Sequence, residues 1–511
     1  MKHLSKVYSA ELEGINAKLI EVEVDMNVGL HSFNIVGLAD RATNEAKERV
    51  NSALKNSGIK PPTRENRKIT VNLAPADIKK TGSQYDLAIA LGYLLASEQI
   101  QEFDTGRKIF AGELSLEGGL RPISGALNIA QMAKKRGFVY LFLPKQNAQE
   151  AAIISGIKVI PVLDLENLIL HLEDKKLIDV QPPTKFEPED DYSSVDFSEI
   201  KGQENAKRAL TVAASGGHHI LMRGSPGAGK TLMAEALVSI LPPPTIEEAI
   251  EVTQIWSAAN RLGENNFLRS RPFRSPHHTA SPISIVGGGT NPRPGEISLA
   301  HRGILFLDEL PEFRRDLLEA LREPLEAGRI SVARVKSTIS FPARFTLVGA
   351  MNPCPCGYFG DPEKECRCTA NEIFRYQKKV SGPLLDRVDI QIEVPRVKLE
   401  ELRREKRKGE SARIRDRVVR AREIQEKRFS KAQPRIRLNS EMSSKQVEDF
   451  IEFDDSGETF LKNILEKSML TARGYYRVLK IARTIADLAE AEKVSGDHLA
   501  EAFQYRVREK E

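Results

Sequence analysis

The sequence predicts an α/β protein of about three folded parts, with a P-loop α/β core in the middle and helices at the C-terminal end. Three observations carry that prediction. Residues 1 to 172 alternate apolar strand-like runs (LIEVEVDM, KITVNLA, YLFLP, KVIPVL) with helix-like runs (ADRATNEAKERVNSALKNSG, YDLAIALGYLLASEQ), the pattern of a domain with its own sheet. A G-x-x-x-x-G-K-T string sits between an apolar strand and a helix at residues 224–231. From residue 456 onward, ETFLKNILEKS and YYRVLKIARTIADLAEAEKVSGDHLAEAFQYR repeat apolar residues at helical spacing, which predicts a small helical bundle.

These signals place the boundaries. Residues 1–172 form the first domain and 173–196 a linker, because QPPTKFEPEDDYSS is rich in proline and acid and buries too little apolar area to pack. Residues 197–395 form the P-loop core, and 396–511 the helical domain.

The 511 residues, 41% hydrophobic and 29% charged, exceed what one core serves and exclude a disordered chain. The N-terminal MKHLSKVYSAELEG lacks the apolar core of a signal peptide, and no run reaches the roughly 20 apolar residues of a bilayer span, so a cytoplasmic protein without membrane association is expected. The net charge of +5 is too small to define a nucleic-acid binder by itself. Residues 403–428 hold twelve Lys or Arg against five Asp or Glu, and read first as a solvated helix face with i,i+4 pairs, second as a DNA-binding stripe.

Each residue of Gly224-Ser225-Pro226-Gly227-Ala228-Gly229-Lys230-Thr231 has a physical reason to be there. The glycines let backbone N–H groups close around phosphate oxygens, the following helix adds its dipole, Lys230 offsets β- and γ-phosphate charge, and Thr231 coordinates Mg²⁺. Downstream, the apolar run Gly303–Leu307 ends in Asp308 and Glu309, as expected of a buried strand whose carboxyl end faces a nucleotide. Asp308 is the candidate for the Mg²⁺ shell and Glu309 for polarising the attacking water. A further apolar strand delivers Asn352, whose amide can orient that water or read the γ-phosphate; a capping role before Pro353 is the alternative.

The chain's four cysteines, Cys354, Cys356, Cys366 and Cys368, form two C-x-C pairs. Four thiolates can close a tetrahedral, structural Zn²⁺ site just after Asn352; four reduced thiols are the alternative. His277 and His278 read as polar loop residues rather than ligands.

GSPGAGKT, ILFLDE and Asn352 resemble the Walker A, Walker B and sensor 1 elements of the AAA+ superfamily. RPFRSPHHTASPISIVGGGTNPRPGEISLAHRGILFLDE, MNPCPCGYFGD and SGPLLDRVDI look like the magnesium-chelatase-like ATPases of the YifB/ComM family, and the likeness runs over essentially the whole chain. The resemblance implies ATP hydrolysis with Mg²⁺ in a homo-oligomeric, hexameric ring. It further implies that Arg387 is the arginine finger offered to a neighbour's site and that Arg473, with Arg477 as its rival, is sensor 2. Residues 271–298 resemble a helix-2 insert of the branch that includes the MCM helicases, and 329–341 a presensor hairpin. Arg334 and Lys336 near the hairpin tip then face the ring's pore and track DNA phosphates, or are plain surface charges. The N-terminal block resembles the domain shared by Lon-type proteases and the RadA recombination helicase, an α+β fold of the Lon/S5 kind. Here Asp86 and Leu127 stand where that resemblance expects the protease's serine and lysine, so both reacting groups for proteolysis are missing.

The function implied is a ring ATPase that moves along single-stranded or branched DNA, as in the ComM branch-migration helicases of recombination and natural transformation. The rival readings are an ATPase driving Mg²⁺ insertion into porphyrin and a protein-remodelling chaperone.

Overall fold

Alternating apolar residues build the first sheet. The computed structural model describes residues 4–64, 66–189, 195–263, 267–289, 292–333, 338–397, 399–402, 409–433, 436–467 and 471–506. In it, β1 (Leu4–Glu13) and β2 (Asn16–Val28) pair antiparallel. Ile20, Val22, Val24 and Met26 recur at every second position of β2 and all are buried, the period of a strand with one covered face. β3 (Ser32–Val36) and β4 (Arg67–Ala74) complete the order β1-β2-β4-β3. Helices α1 (Ala46–Asn56) and α2 (Asp86–Ala96) share the core of this sheet through Val50, Leu54, Leu87 and Leu91.

A second, parallel sheet follows, made of β5 (Lys108–Phe110), β6 (Tyr140–Pro144) and β7 (Lys158–Val162). Its neighbours α3 (Ala126–Lys135) and α4 (Lys145–Ala151) bury Leu127, Ile129, Ala148 and Ala151 in one cluster with Ala249 and Phe267. The chain divides into two compact units, residues 1–187 with 249–268, and residues 188–248 with 269–511. The stretch 249–268, from the middle of the sequence, thus belongs with the first unit. It is anchored there by polar contacts as well, because the Ser257 hydroxyl donates to the Glu150 carboxylate at 2.5 Å and the Leu127 N–H donates to the same oxygen at 2.9 Å.

The two positions singled out for proteolysis are spent on structure. Leu127 is fully buried. Asp86, with no exposed side-chain surface, receives Arg49 Nε on one oxygen at 2.6 Å and Nη2 on the other at 3.1 Å. Burial pushes the Asp86 carboxyl up to about 6 while the Arg49 hydrogen bonds oppose that rise.

The second unit is built on five parallel strands: β8 (Ile220–Arg223), β9 (Phe273–Arg274), β10 (Ile304–Leu307), β13 (Thr346–Met351) and β14 (Ile390–Glu393), in the order β9-β10-β13-β8-β14. Every residue of β10 and β13 is buried, which is why both read as unbroken apolar runs rather than alternating ones. Between them, β11 (Arg329–Ala333) and β12 (Thr338–Pro342) form an antiparallel ribbon; Arg334 and Lys336 lie outside the described residues.

Helices α5 (Glu204–Gly216) and α6 (Lys230–Ser239) flank the sheet, and α7 (Glu410–Phe429), α8 (Asp455–Lys467), α9 (Ala472–Leu488) and α10 (Gly496–Gln504) form the C-terminal part. These helices share one core with the sheet, since Val418, Ala421, Ile481 and Ile485 cluster with Leu210, Ala213, Ile220 and Met222. The basic run is not a uniformly solvated face. Arg415 Nε donates to the Ser239 carbonyl at 2.8 Å, Arg422 Nε to the Ala214 carbonyl at 3.0 Å, and Arg428 pairs with fully buried Asp487 at 2.5 Å. Arg415 and Arg422 thus bond carbonyls near the C-terminal ends of α6 and α5, where helix carbonyls lack an intrahelical partner, and Arg428 neutralises a buried carboxylate. Among the described residues, no helix is long and apolar enough to cross a membrane.

Replacing Asp86 by Ala leaves the Arg49 charge uncompensated, and breaking a buried pair this way costs about 3–5 kcal/mol. Chemical denaturation of the Asp86→Ala protein is expected to show the first unit unfolding at markedly lower urea, and Asp86→Ser is expected to cleave no casein substrate.

Candidate nucleotide site

All the sequence-predicted phosphate and metal groups follow the carboxyl ends of parallel strands. β8 runs into the glycine loop, β10 into Asp308 and Glu309, and β13 into Asn352. Gly227 (φ 77°) and Gly229 (φ 87°) adopt left-handed backbone conformations, and a Cβ added to either would meet nothing within 4 Å. The loop therefore borders open space, and glycine serves it through backbone freedom rather than tight packing. α6 starts at Lys230, so its unsatisfied N–H groups and positive dipole end face the same space.

Lys230 is almost fully buried. Its Nζ donates to the carbonyls of Gly224 at 2.7 Å and Ser225 at 3.1 Å and to Asn352 Oδ1 at 3.1 Å. None of these partners is a carboxylate, so the charge is held but not neutralised. Burial lowers its pKa, and the charges of Asp308 and Glu309 oppose that drop. The Thr231 hydroxyl donates to Asp308 Oδ2 at 3.1 Å, which puts the two candidate Mg²⁺ ligands side by side. A cation flanked by an open glycine loop, with a hydroxyl and a carboxylate adjacent, fits a triphosphate and its magnesium in donor type and charge. Glu309 has a left-handed backbone (φ 51°) and a side chain 53% exposed, a carboxylate turned to solvent where water can reach it. Its neighbour is His278, which the sequence analysis reads as a polar loop residue: the Nδ1 lies 3.4 Å from Glu309 Oε2. No local pattern links the two, because His278 lies on a loop ahead of the short helix Pro282–Val286.

The cysteines converge immediately beyond Asn352. Their four sulfurs lie within 4.8 Å of one another, and the backbone N–H groups of Tyr358 and Arg367 lower the Cys356 thiol to about 6.

The arginines occupy the other edge of the sheet. Arg387 precedes β14, and the Asp389 N–H donates to the His219 carbonyl at the start of β8. A four-residue strand, about 13 Å long, therefore separates that edge from the glycine loop of the same chain. Arg387 pairs with Glu326 and donates to the Pro383 carbonyl at 2.5 Å. Arg473, 64% exposed, approaches the same Glu326 carboxylate at 3.8 Å. Arg477 is sequestered instead, 14% exposed and 3.7 Å from Asp389. All three line a cavity of about 750 Å³ with Arg271, Arg422 and Lys480. Burial and then the charge of Arg271 lower Arg422 to about 9. Beneath them, burial opposes ionisation of Asp389, but the His218 hydrogen bond and charge outweigh it and hold the carboxyl well below its usual range. His219, lowered by burial to about 4, accepts the Leu347 N–H at Nδ1.

A parallel sheet in this strand order, with a glycine loop, an acid pair and a polar strand tip at one edge, defines the chain as a P-loop AAA+ protein. Residues 196–402 match the family model described as magnesium chelatase, subunit ChlI, 408–506 match its C-terminal model, and 22–147 match the model for subunit ChlI of Mg-chelatase. The chain is 42% identical to competence protein ComM of Haemophilus influenzae, over 99% of this chain and 97% of that protein. It is 41% identical to YifB of Escherichia coli over the same shares, and 30% identical to the magnesium-chelatase 38 kDa subunit of Rhodobacter capsulatus over 31% of this chain and 50% of that protein. The chain belongs to the ComM/YifB family of magnesium-chelatase-like AAA+ ATPases.

Two substitutions separate holding the nucleotide from activating water. Lys230→Ala is expected to weaken binding of a fluorescent ATP analogue. Glu309→Gln is expected to retain that binding while phosphate release falls by roughly 10²–10⁴-fold, the range for a positioned general base.

Proposed function

We propose that this chain is a Mg²⁺-dependent ATPase that acts as a ring, by likeness a hexamer, and couples hydrolysis to movement along single-stranded or branched DNA. Gly224, Ser225, Pro226, Gly227, Ala228 and Gly229 cradle the phosphates, Lys230 offsets their charge, and Thr231 and Asp308 hold the magnesium. Magnesium held there would supply neutralisation of the charge on the phosphate oxygens. Glu309 takes the proton of the attacking water, and Asn352 orients that water or the γ-phosphate. Arg387 and Arg473 reach the triphosphate of the neighbouring protomer, and Arg477 stays in its own chain as the partner of Asp389. The four cysteines hold a structural Zn²⁺.

The observation that carries this reading is the separation of the two half-sites. Lys230 follows the carboxyl end of β8, whereas Arg387 and Arg473 meet at Glu326, on the edge where the strands begin. A chain carrying complementary halves on opposite edges completes them by head-to-tail association, which closes into a ring. Release from Glu326 then frees both guanidiniums for phosphate, a stronger acceptor of paired donors.

The DNA part is supported by the Haemophilus relative, a competence protein by name, with 99% of this chain aligned to it. The 38 kDa chelatase subunit of Rhodobacter capsulatus aligns with 31% of this chain against 99% for the competence protein, which favours DNA over porphyrin metallation. Arg334 and Lys336, which follow β11 in the sequence and lie outside the described residues, are the proposed phosphate contacts. Protein remodelling has no observation in its favour. The cytoplasm is the proposed site of action.

Mixing tests the shared site. Lys230→Ala and Arg387→Ala proteins are each expected to lack ATPase and strand displacement on forked DNA. Mixed in equal amounts they are expected to recover activity, because random head-to-tail pairing creates intact sites at about one quarter of interfaces. Forked DNA, but neither unfolded protein nor porphyrin, is expected to stimulate the wild type, with affinity falling steeply as salt rises. Normal hydrolysis by monomeric Arg387→Ala protein is the result that defeats the shared site.

A further inference from the structure

The cysteine hairpin lies directly against the glycine loop. Cys354 Sγ is 3.4 Å from Cys356 Sγ and 3.7 Å from Cys366 Sγ, and Cys356 and Cys366 are 3.6 Å apart. A disulfide needs about 2.05 Å, whereas four thiolates at about 2.3 Å from one zinc ion stand about 3.8 Å from each other. The observed separations lie close to the second value. Between the two pairs, residues 357–365 contain no strand or helix, so regular backbone hydrogen bonding does not shape this loop.

What the loop carries is a strut. The Asp361 carboxylate, with no exposed side-chain surface, accepts the Ser225 hydroxyl of the glycine loop at 2.7 Å and Arg396 Nε at 3.2 Å. The N–H groups of Glu363 and Lys364 fix its other oxygen at 2.9 and 3.1 Å. Gly357, at φ 84°, leaves a gap that a Cβ could enter only at 2.6 Å from the Pro226 ring, so the hairpin backbone abuts the second contact residue of the same loop. Gln377 Nε2 ties the Pro353 carbonyl at 2.9 Å, and Asn352, one residue earlier, holds Lys230. Ser225 and Pro226 are thus braced by the segment that the four cysteines close, and Lys230 by Asn352 just ahead of it.

We propose that Zn²⁺ on Cys354, Cys356, Cys366 and Cys368 sets the shape of the glycine loop through Asp361, so that ATP affinity depends on zinc occupancy. The inference rests on reading residues 224–231 as the ATP site. The metal does not meet the nucleotide; it removes freedom from a segment without strand or helix, and Asp361 is the positioning residue that transmits this to Ser225.

The test measures zinc content by elemental analysis and affinity for a fluorescent ATP analogue on the same full-length samples kept under reductant. The wild type is expected to hold one zinc per chain. A Cys366→Ser/Cys368→Ser double variant is expected to lose the metal and bind the analogue at least about tenfold more weakly, the effect of one lost hydrogen bond to a charged group. Asp361→Asn keeps all four thiols, and is expected to retain zinc yet weaken binding several-fold. Chelator-stripped wild type is expected to regain affinity on addition of zinc alone. Zinc-free wild type overturns the metal site. A zinc-loaded wild type whose two variants bind the analogue with unchanged affinity overturns the strut while leaving the metal. A zinc-loaded wild type that binds no analogue refutes the ATP site itself, and is distinct from both.

Discussion

Parallel strand polarity is the constraint from which the arrangement of this protein follows. Strands that share a direction send every residue that follows them to one edge and every residue that precedes them to the other. The glycine loop, the acid pair and Asn352 are therefore neighbours although as many as 128 positions separate Gly224 from Asn352 in the chain. Arg387, in the turn before its strand, is excluded from that company by the same rule. Five strands in register across β9-β10-β13-β8-β14 make this division insensitive to side-chain detail, and the apolar residues of β10 and β13 hold the register because they are buried on both faces.

Charges beneath the arginine edge keep the C-terminal helices attached to the sheet. His218 reaches Asp389 with one ring nitrogen and Thr484 with the other, at 3.3 and 2.8 Å. Asn439 bonds both Thr484 and Asp487, and Asp487 also takes Arg428 and Arg483. A polar network of this density has few alternative packings that satisfy all its members. Movement of α9 therefore carries Arg473 and the Asp389 partner Arg477 together, which links the helical part to the arginine edge by hydrogen bonds rather than by apolar contact alone.

What could be read in the sequence was local. The GSPGAGKT loop, the two acids after ILFL and the clustered cysteines are contiguous strings whose chemistry depends on immediate neighbours, and their elements formed where expected. The parts that escaped pair residues far apart. Asp361 with Ser225, Glu326 with Arg387 and Arg473, and His278 with Glu309 leave no periodic trace, since each partner alone is an ordinary polar residue in a turn or helix. The basic helix is only partly legible for a related reason. Charge predicts exposure, yet carbonyls at Ser239 and Ala214 and the carboxylate of Asp487 give Arg415, Arg422 and Arg428 reason to be half-buried.

The membership of residues 249–268 in the first unit has a consequence for how the protein can be taken apart. Severed after Glu187, the N-terminal segment would lose Ala249 and Phe267 from its interior, and the Glu150 carboxylate, whose pKa burial already raises, would forfeit the Ser257 hydroxyl. Neither unit is a continuous length of polypeptide, so dissection, duplication or exchange of one by a single cut in the gene leaves both incomplete. Heredity is thereby obliged to transmit the two as an inseparable whole.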